Sequence, residues 1–226
     1  MEPGAERSEG EAETGVPRVG VLVSGRGSNL EAIFAAILHG ELRARVGIVI
    51  SSRPDASALT IAANYQAPTR VIVPKEYQSR ADAGNAILAA LRQAQVELVV
   101  LAGYKPILDS CVVDAYPLRI INIHPSLLPA FAGGMAPRPQ ADALAAGVKI
   151  TGCTAHFVTT VVDEGPIIAQ TPVPVYDSDT VEELSARILE REHQMLPRVI
   201  ADVLYGTVRV EGRRVLIQPR PPETEE

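Results

Sequence analysis

The 226-residue chain has only two cysteines, Cys111 and Cys153, far apart and without CxxC pairing or metal-ligand spacing. Their scarcity excludes a disulfide framework and a cysteine metal cluster, and fits two reduced, buried thiols in a cytoplasmic protein. No apolar run approaches the ~18 residues that span a membrane. The acidic N-terminus lacks the basic region and apolar stretch of a signal peptide. Glycine and proline (17 and 18 residues) stay below the roughly 25–30% of low-complexity chains, so the chain as a whole is not disordered. An excess of basic residues is missing too. Residues 1–17 hold five Glu and one Arg, residues 218–226 three Glu and one Arg, and these account for the whole net charge of −6. The stretch between them is formally neutral, which argues against a broad nucleic-acid surface.

What is present has a clear order. Residues 1–17 and 218–226 read as acidic tails, and residues 18–217 as one domain. Residues 19–23 form a continuous apolar run and 46–50 a second, while 69–73, 96–101 and 118–123 are largely apolar and read as three more strands. Such runs suit strands buried on both faces. Between them, 29–38, 56–65 and 79–95 carry helical spacing, with Gly40 as a stop and Ser79 as an N-cap. Strands alternating with helices predict an α/β fold: a doubly wound, mostly parallel, Rossmann-like sheet. The second half differs. Residues 154–162 and 166–173 flank Asp163-Glu164-Gly165 as a hairpin, 181–204 form a long amphipathic helix, and 207–210 with 213–217 form a last hairpin.

Three places carry chemistry. Ser24-Gly25-Arg26-Gly27-Ser28-Asn29 sits between the first strand and its helix, where open α/β sheets bind ligands. Small residues expose backbone N–H groups there, and the helix N-terminus is positive, so a phosphomonoester fits. Leu30 replaces the third glycine of the dinucleotide fingerprint, and no Gly-Lys-Ser/Thr follows. After the fifth strand comes Asn122-Ile123-His124-Pro125-Ser126-Leu127-Leu128-Pro129. Residues i and i+2 on a strand share a face, so Asn122 and His124 project together. An amide that stabilises an oxyanion, beside an imidazole that moves protons near neutral pH, suits acyl transfer. Asp163 is the third, a carboxylate that would favour imidazolium if the chain brought it to His124.

In this order the pieces resemble the formyltransferase-fold family that uses 10-formyltetrahydrofolate. The likeness runs from about Arg18 to Val210. It rests on Ser24-Gly-Arg-Gly-Ser-Asn-Leu30, Leu101-Ala-Gly-Tyr104, the Asn122–Pro129 motif, Gly152-Cys-Thr-Ala-His-Phe157 and Asp163-Glu-Gly-Pro166. The resemblance implies transfer of formyl from 10-formyltetrahydrofolate to the amine of glycinamide ribonucleotide, in purine synthesis, without a metal. It implies small-molecule partners rather than nucleic acid or membrane, and a monomer or homodimer. Gly27, Ser28 and Asn29 would hold the substrate phosphate, and Glu192 its ribose or glycinamide portion. Asn122, His124 and Asp163 would be catalytic. Arg80, Lys105, Pro106, Ile107 and Leu108 would line the folate pocket, with Asn122 also touching the formyl group. His156 reads as a supporting or core residue. Two features depart from the family. Lys105-Pro106 stand where Met-Arg or similar is usual, and Pro106 removes a backbone donor. The loop within residues 130–146, which in the family moves over the folate site, is a few residues longer here. The alternatives are a formyltetrahydrofolate hydrolase, expected to carry a further N-terminal domain, and a catalytically silent phosphosugar- or folate-binding module of the same fold.

Overall fold

A computed structural model describes residues 15–219. Most of the two expected tails, residues 1–14 and 220–226, lies outside the described residues. The first half runs β1 (Arg18–Val23), α1 (Ser28–Leu38), β2 (Arg45–Ser51), α2 (Ser57–Asn64), β3 (Thr69–Val71), α3 (Arg80–Gln93), β4 (Leu98–Leu101), α4 (Ser110–Ala115) and β5 (Ile120–His124). The second half runs α5 (Arg138–Ala145), β6 (Ile150–Phe157), β7 (Ile167–Pro174), α6 (Val181–Tyr205), β8 (Gly206–Glu211) and β9 (Arg214–Pro219). The described strands form one sheet in the order β3-β2-β1-β4-β5-β6-β7-β9-β8. Strands β1 to β5 pair in parallel, while β5–β6, β6–β7 and β8–β9 are antiparallel.

The runs at β1, β2, β4 and β5 become strands because helices cover both faces there, whereas β3 is an edge strand exposed at all three residues, against the expected burial on both faces. Val21, Val23, Val49, Leu98 and Val100 pack towards α1 and α6. Leu22, Ile50, Val99 and Ile120 pack against Ile87, Leu88 and Leu91 of α3 and Val112 of α4. Ser79 caps α3 as its sequence suggests, its hydroxyl accepting from Asp82 N. A reciprocal capping box between Thr180 and Glu183 starts α6. Neither α4 nor α5 stands out in the sequence, since both are short; Asp109 starts α4 by accepting from Cys111 N.

The expected hairpin around Asp163 is wider than a tight turn. Strand β6 ends at Phe157 and β7 starts at Ile167, so residues 158–166 form a loop. The Phe157 N–H bonds the Pro166 carbonyl at 2.9 Å and closes the ladder there. Gly165 makes this return possible, because a Cβ at that position would run into the Phe157 carbonyl oxygen. At the other end, β9 continues through Gln218 to Pro219, beyond the expected limit at 217.

Candidate functional site

A cavity of about 390 Å³ opens beyond the carboxyl ends of β1, β4 and β5. Strand order reverses at β1 and β4, the place where an open α/β sheet leaves a crevice. A buried polar chain ties these strand ends together. Ser24 and Ser52 share a hydroxyl–hydroxyl bond of 2.5 Å, and Lys105 N donates to Ser24 Oγ at 2.8 Å.

One end of the cavity is built from backbone. Gly27 precedes α1 in the left-handed region (φ +87°), with no side chain capping the helix. The first-turn N–H groups therefore remain available to a ligand. A Cβ at Gly27 would meet Ala58 Cβ at 2.7 Å, so glycine is required by both dihedral and space. Beside it, Asn29 Nδ2 donates to Glu192 Oε2 at 2.8 Å, while the buried Asn29 Oδ1 has no partner. Burial raises the Glu192 carboxyl to about 7, although the Asn29 amide opposes the shift.

The other end is built from side chains on β5, β6 and the loop after β6. In the antiparallel ladder Asn122 lies opposite His156, and His124 opposite Thr154. All four share one face of the sheet. The Phe157 carbonyl can only accept, so His156 Nδ1 is the donor across their 3.0 Å contact. Its Nε2 then accepts from Asn122 Nδ2 at 3.0 Å. Burial pushes the His156 ring towards the neutral form that this arrangement requires. One Asn122 N–H is thereby pinned, leaving the other N–H and the amide oxygen for a ligand.

His124 Nε2 donates to the Phe131 carbonyl at 3.1 Å, and Nδ1 lies 3.5 Å from Asp163 Oδ2. Asp163 is itself held: Gly133 N donates to Oδ2 at 2.8 Å, and its backbone occupies the left-handed region (φ +56°) that Asp tolerates better than most residues. Its Oδ1 lies 3.7 Å from His156 Nε2. The site thus offers an amide donor, an imidazole and a carboxylate around one open space. This set can stabilise an oxyanion and pass a proton.

The sequence pattern of the formyl transferase family fits residues 17–200. The chain belongs to the formyl transferase family. A glycinamide ribonucleotide transformylase from Symbiobacterium toebii superposes with a TM-score of 0.86 at 45% identity, covering 93% of this chain and 99% of that one. A formyltetrahydrofolate deformylase from Pseudomonas syringae gives 0.82 at 28%, covering 90% of this chain and 66% of that one. The trifunctional purine biosynthetic protein adenosine-3 of Gallus gallus is 48% identical over 110 residues, 49% of this chain and 11% of that protein. The match thus spans a small part of that relative's length.

In this formyl transferase, Gly27, Ser28, Asn29, Glu192, Lys105, Pro106, Ile107, Leu108, Asn122, His124 and Asp163 all line the one cavity. Arg80 does not. It stands at the start of α3, where Asp109 draws its guanidinium into a 3.4 Å pair. Sequence reasoning put His156 in a supporting place but missed its bond to Asn122. It also missed the Phe131 carbonyl, the Gly133 N–H, and the apolar rim of Met135, Val161 and Val162. The motif Gly152-Cys-Thr-Ala-His-Phe157 was a signal for His156, but a register across two strands cannot be read from one of them. The loop after β5 provides Phe131 and Gly133, so its first residues sit directly on the His124–Asp163 pair.

Proposed function

We propose that the protein transfers the formyl group of 10-formyltetrahydrofolate to the amine of glycinamide ribonucleotide, a step of purine synthesis, in the cytoplasm. The observation that carries this reading is one cavity with two unlike ends. The uncapped α1 N-terminus suits a phosphate, and Asn122, His124 and Asp163 surround the reacting centre. Glu192 and the unpartnered Asn29 Oδ1 are acceptors suited to ribose hydroxyls. Lys105, Pro106, Ile107 and Leu108, with the apolar rim, offer a slot for a flat heterocycle and its aryl group.

In the reaction the uncharged amine attacks the formyl carbon and a C–N bond forms. The free N–H of Asn122 and protonated His124 hold the oxyanion that develops. The C–N10 bond then breaks, and the proton lost by the amine passes, with help from Asp163, to N10 of the leaving tetrahydrofolate. The residues need no metal for these steps.

The greater identity and coverage with the transformylase than with the deformylase support transfer over hydrolysis. The test is to follow tetrahydrofolate production by the purified protein with each substrate omitted in turn. Production that requires glycinamide ribonucleotide is the expected result. Formate release without the nucleotide would mean a hydrolase, and ligand binding with neither product would mean a silent binding module.

A further inference from the structure

The row of side chains across β5, β6 and β7 continues past His124. Thr154 lies opposite His124, and Gln170 on β7 lies opposite Thr154. Thr154 and Ser126 are fully buried, yet the hydrogen-bonding capacity of their hydroxyls is put to use. Thr154 Oγ1 donates to the Ser126 carbonyl at 2.6 Å and accepts from Leu128 N and Gln170 Nε2, both at 3.0 Å. The second hydrogen of Gln170 Nε2 goes to the Leu128 carbonyl at 2.9 Å. Ser126 Oγ donates to the Ala130 carbonyl at 2.6 Å. Three side chains therefore satisfy four backbone groups of a single turn, the one that begins after His124 and delivers Phe131.

We infer that Thr154 and Gln170 are positioning residues for His124, fastening this turn so that the Phe131 carbonyl holds Nε2–H and leaves Nδ1 as the nitrogen that exchanges the proton. Which imidazole nitrogen carries the resident proton is decided by the bond the other one lacks or makes. Here the Phe131 carbonyl claims Nε2, and only Nδ1 faces Asp163. The saturated network around buried Thr154 and Ser126, completed by Gln170 from its exposed edge, has one arrangement, whereas a half-satisfied one permits several. Loosening the turn would let the carbonyl drift and the ring adopt both tautomers. Misplacement by about 1 Å costs up to roughly a hundredfold in rate.

This inference rests on the formyl-transfer reading, and its test separates the two. Gln170→Leu keeps the Thr154 bonds to Ser126 and Leu128. Thr154→Ser keeps the hydroxyl, whereas Thr154→Val strands several buried groups and serves only as the severe case. The expected result for Gln170→Leu is a folded protein with kcat about tenfold lower and an unchanged KM for the nucleotide, while Thr154→Ser stays near the parent. In ¹⁵N-histidine spectra, with the His124 signals identified by their loss in His124→Asn, Gln170→Leu should mix tautomers that the parent keeps pure. An unchanged kcat in folded Gln170→Leu overturns the inference. So does a lower kcat with an unchanged His124 signal, which would mark a merely structural role. If the parent transfers no formyl group, the functional reading fails, and the spectra still decide whether the turn sets the tautomer.

Discussion

On β5 and β6, residues one position apart lie in opposite surroundings. Ile121, Ile123, Cys153, Ala155 and Phe157 face α6 and belong to an apolar core. Asn122, His124, Thr154 and His156 face the other way, and the last three are as buried as the core, at 3%, 0% and 2% exposure. Burial alone does not distinguish the faces; what surrounds each atom does. On the α6 side close packing suffices. On the other side the cluster built on α3 and α4 reaches Ile120 and Val158 but includes none of these four residues, so loops cover them, and each buried polar group needs a partner. The partners are other members of the site, which makes the network that holds the face together the same one that aims its chemistry.

The two faces should therefore break differently. The largest expected effect is on the polar face: His124→Ala and Asp163→Ala should each lower kcat by about a thousandfold or more. Nucleotide binding, measured by calorimetry, should survive because the phosphate end is built from α1. On the apolar face, Ile121→Ala should instead cost about 2–5 kcal/mol of unfolding free energy in urea titrations, with turnover per folded molecule nearly intact. His156→Ala should lower kcat about a hundredfold by releasing Asn122, and His156→Gln, which restores an acceptor, should recover part of it.

Glu192 joins α6 to the cavity and gives an effect of up to a few kcal/mol that depends on pH. Its folded carboxyl titrates near 7 against an ordinary value of 4.5. Between those values the folded state keeps a proton that the unfolded state releases. Its stabilising contribution is therefore complete below about 4.5 and is lost as pH rises through about 7. Relative to Glu192→Gln, the parent should lose stability between pH 5 and pH 8 in urea titrations. Parallel curves for the two proteins would contradict the assignment.

Much of this organisation is visible in the chain itself. Continuous apolar runs at β1, β2 and β4 announce strands covered on both faces, and the change to alternation at Asn122-Ile123-His124 marks where that cover ends. The uncapped start of α1 is readable because Gly27, Ser28 and Asn29 shape it through local backbone. Asp163 stands out in the sequence by its motif, yet its meeting with His124 depends on a loop return allowed by Gly165. Register hid the rest. His156 reaches Asn122, and Gln170 reaches Thr154, only through ladder pairs between separate strands. Arg80 does not line the cavity: a helix start leaves the direction of a long side chain open, and here Asp109 pairs with it.

The most direct test of the central claim is to supply 10-formyltetrahydrofolate labelled with ¹³C in its formyl group, together with glycinamide ribonucleotide, and to see where the label goes. The arrangement of Asn122, His124 and Asp163 opposite the α1 phosphate end predicts nearly all of it on the nucleotide amine. Label recovered chiefly as free formate, at a rate indifferent to the nucleotide, would contradict that account.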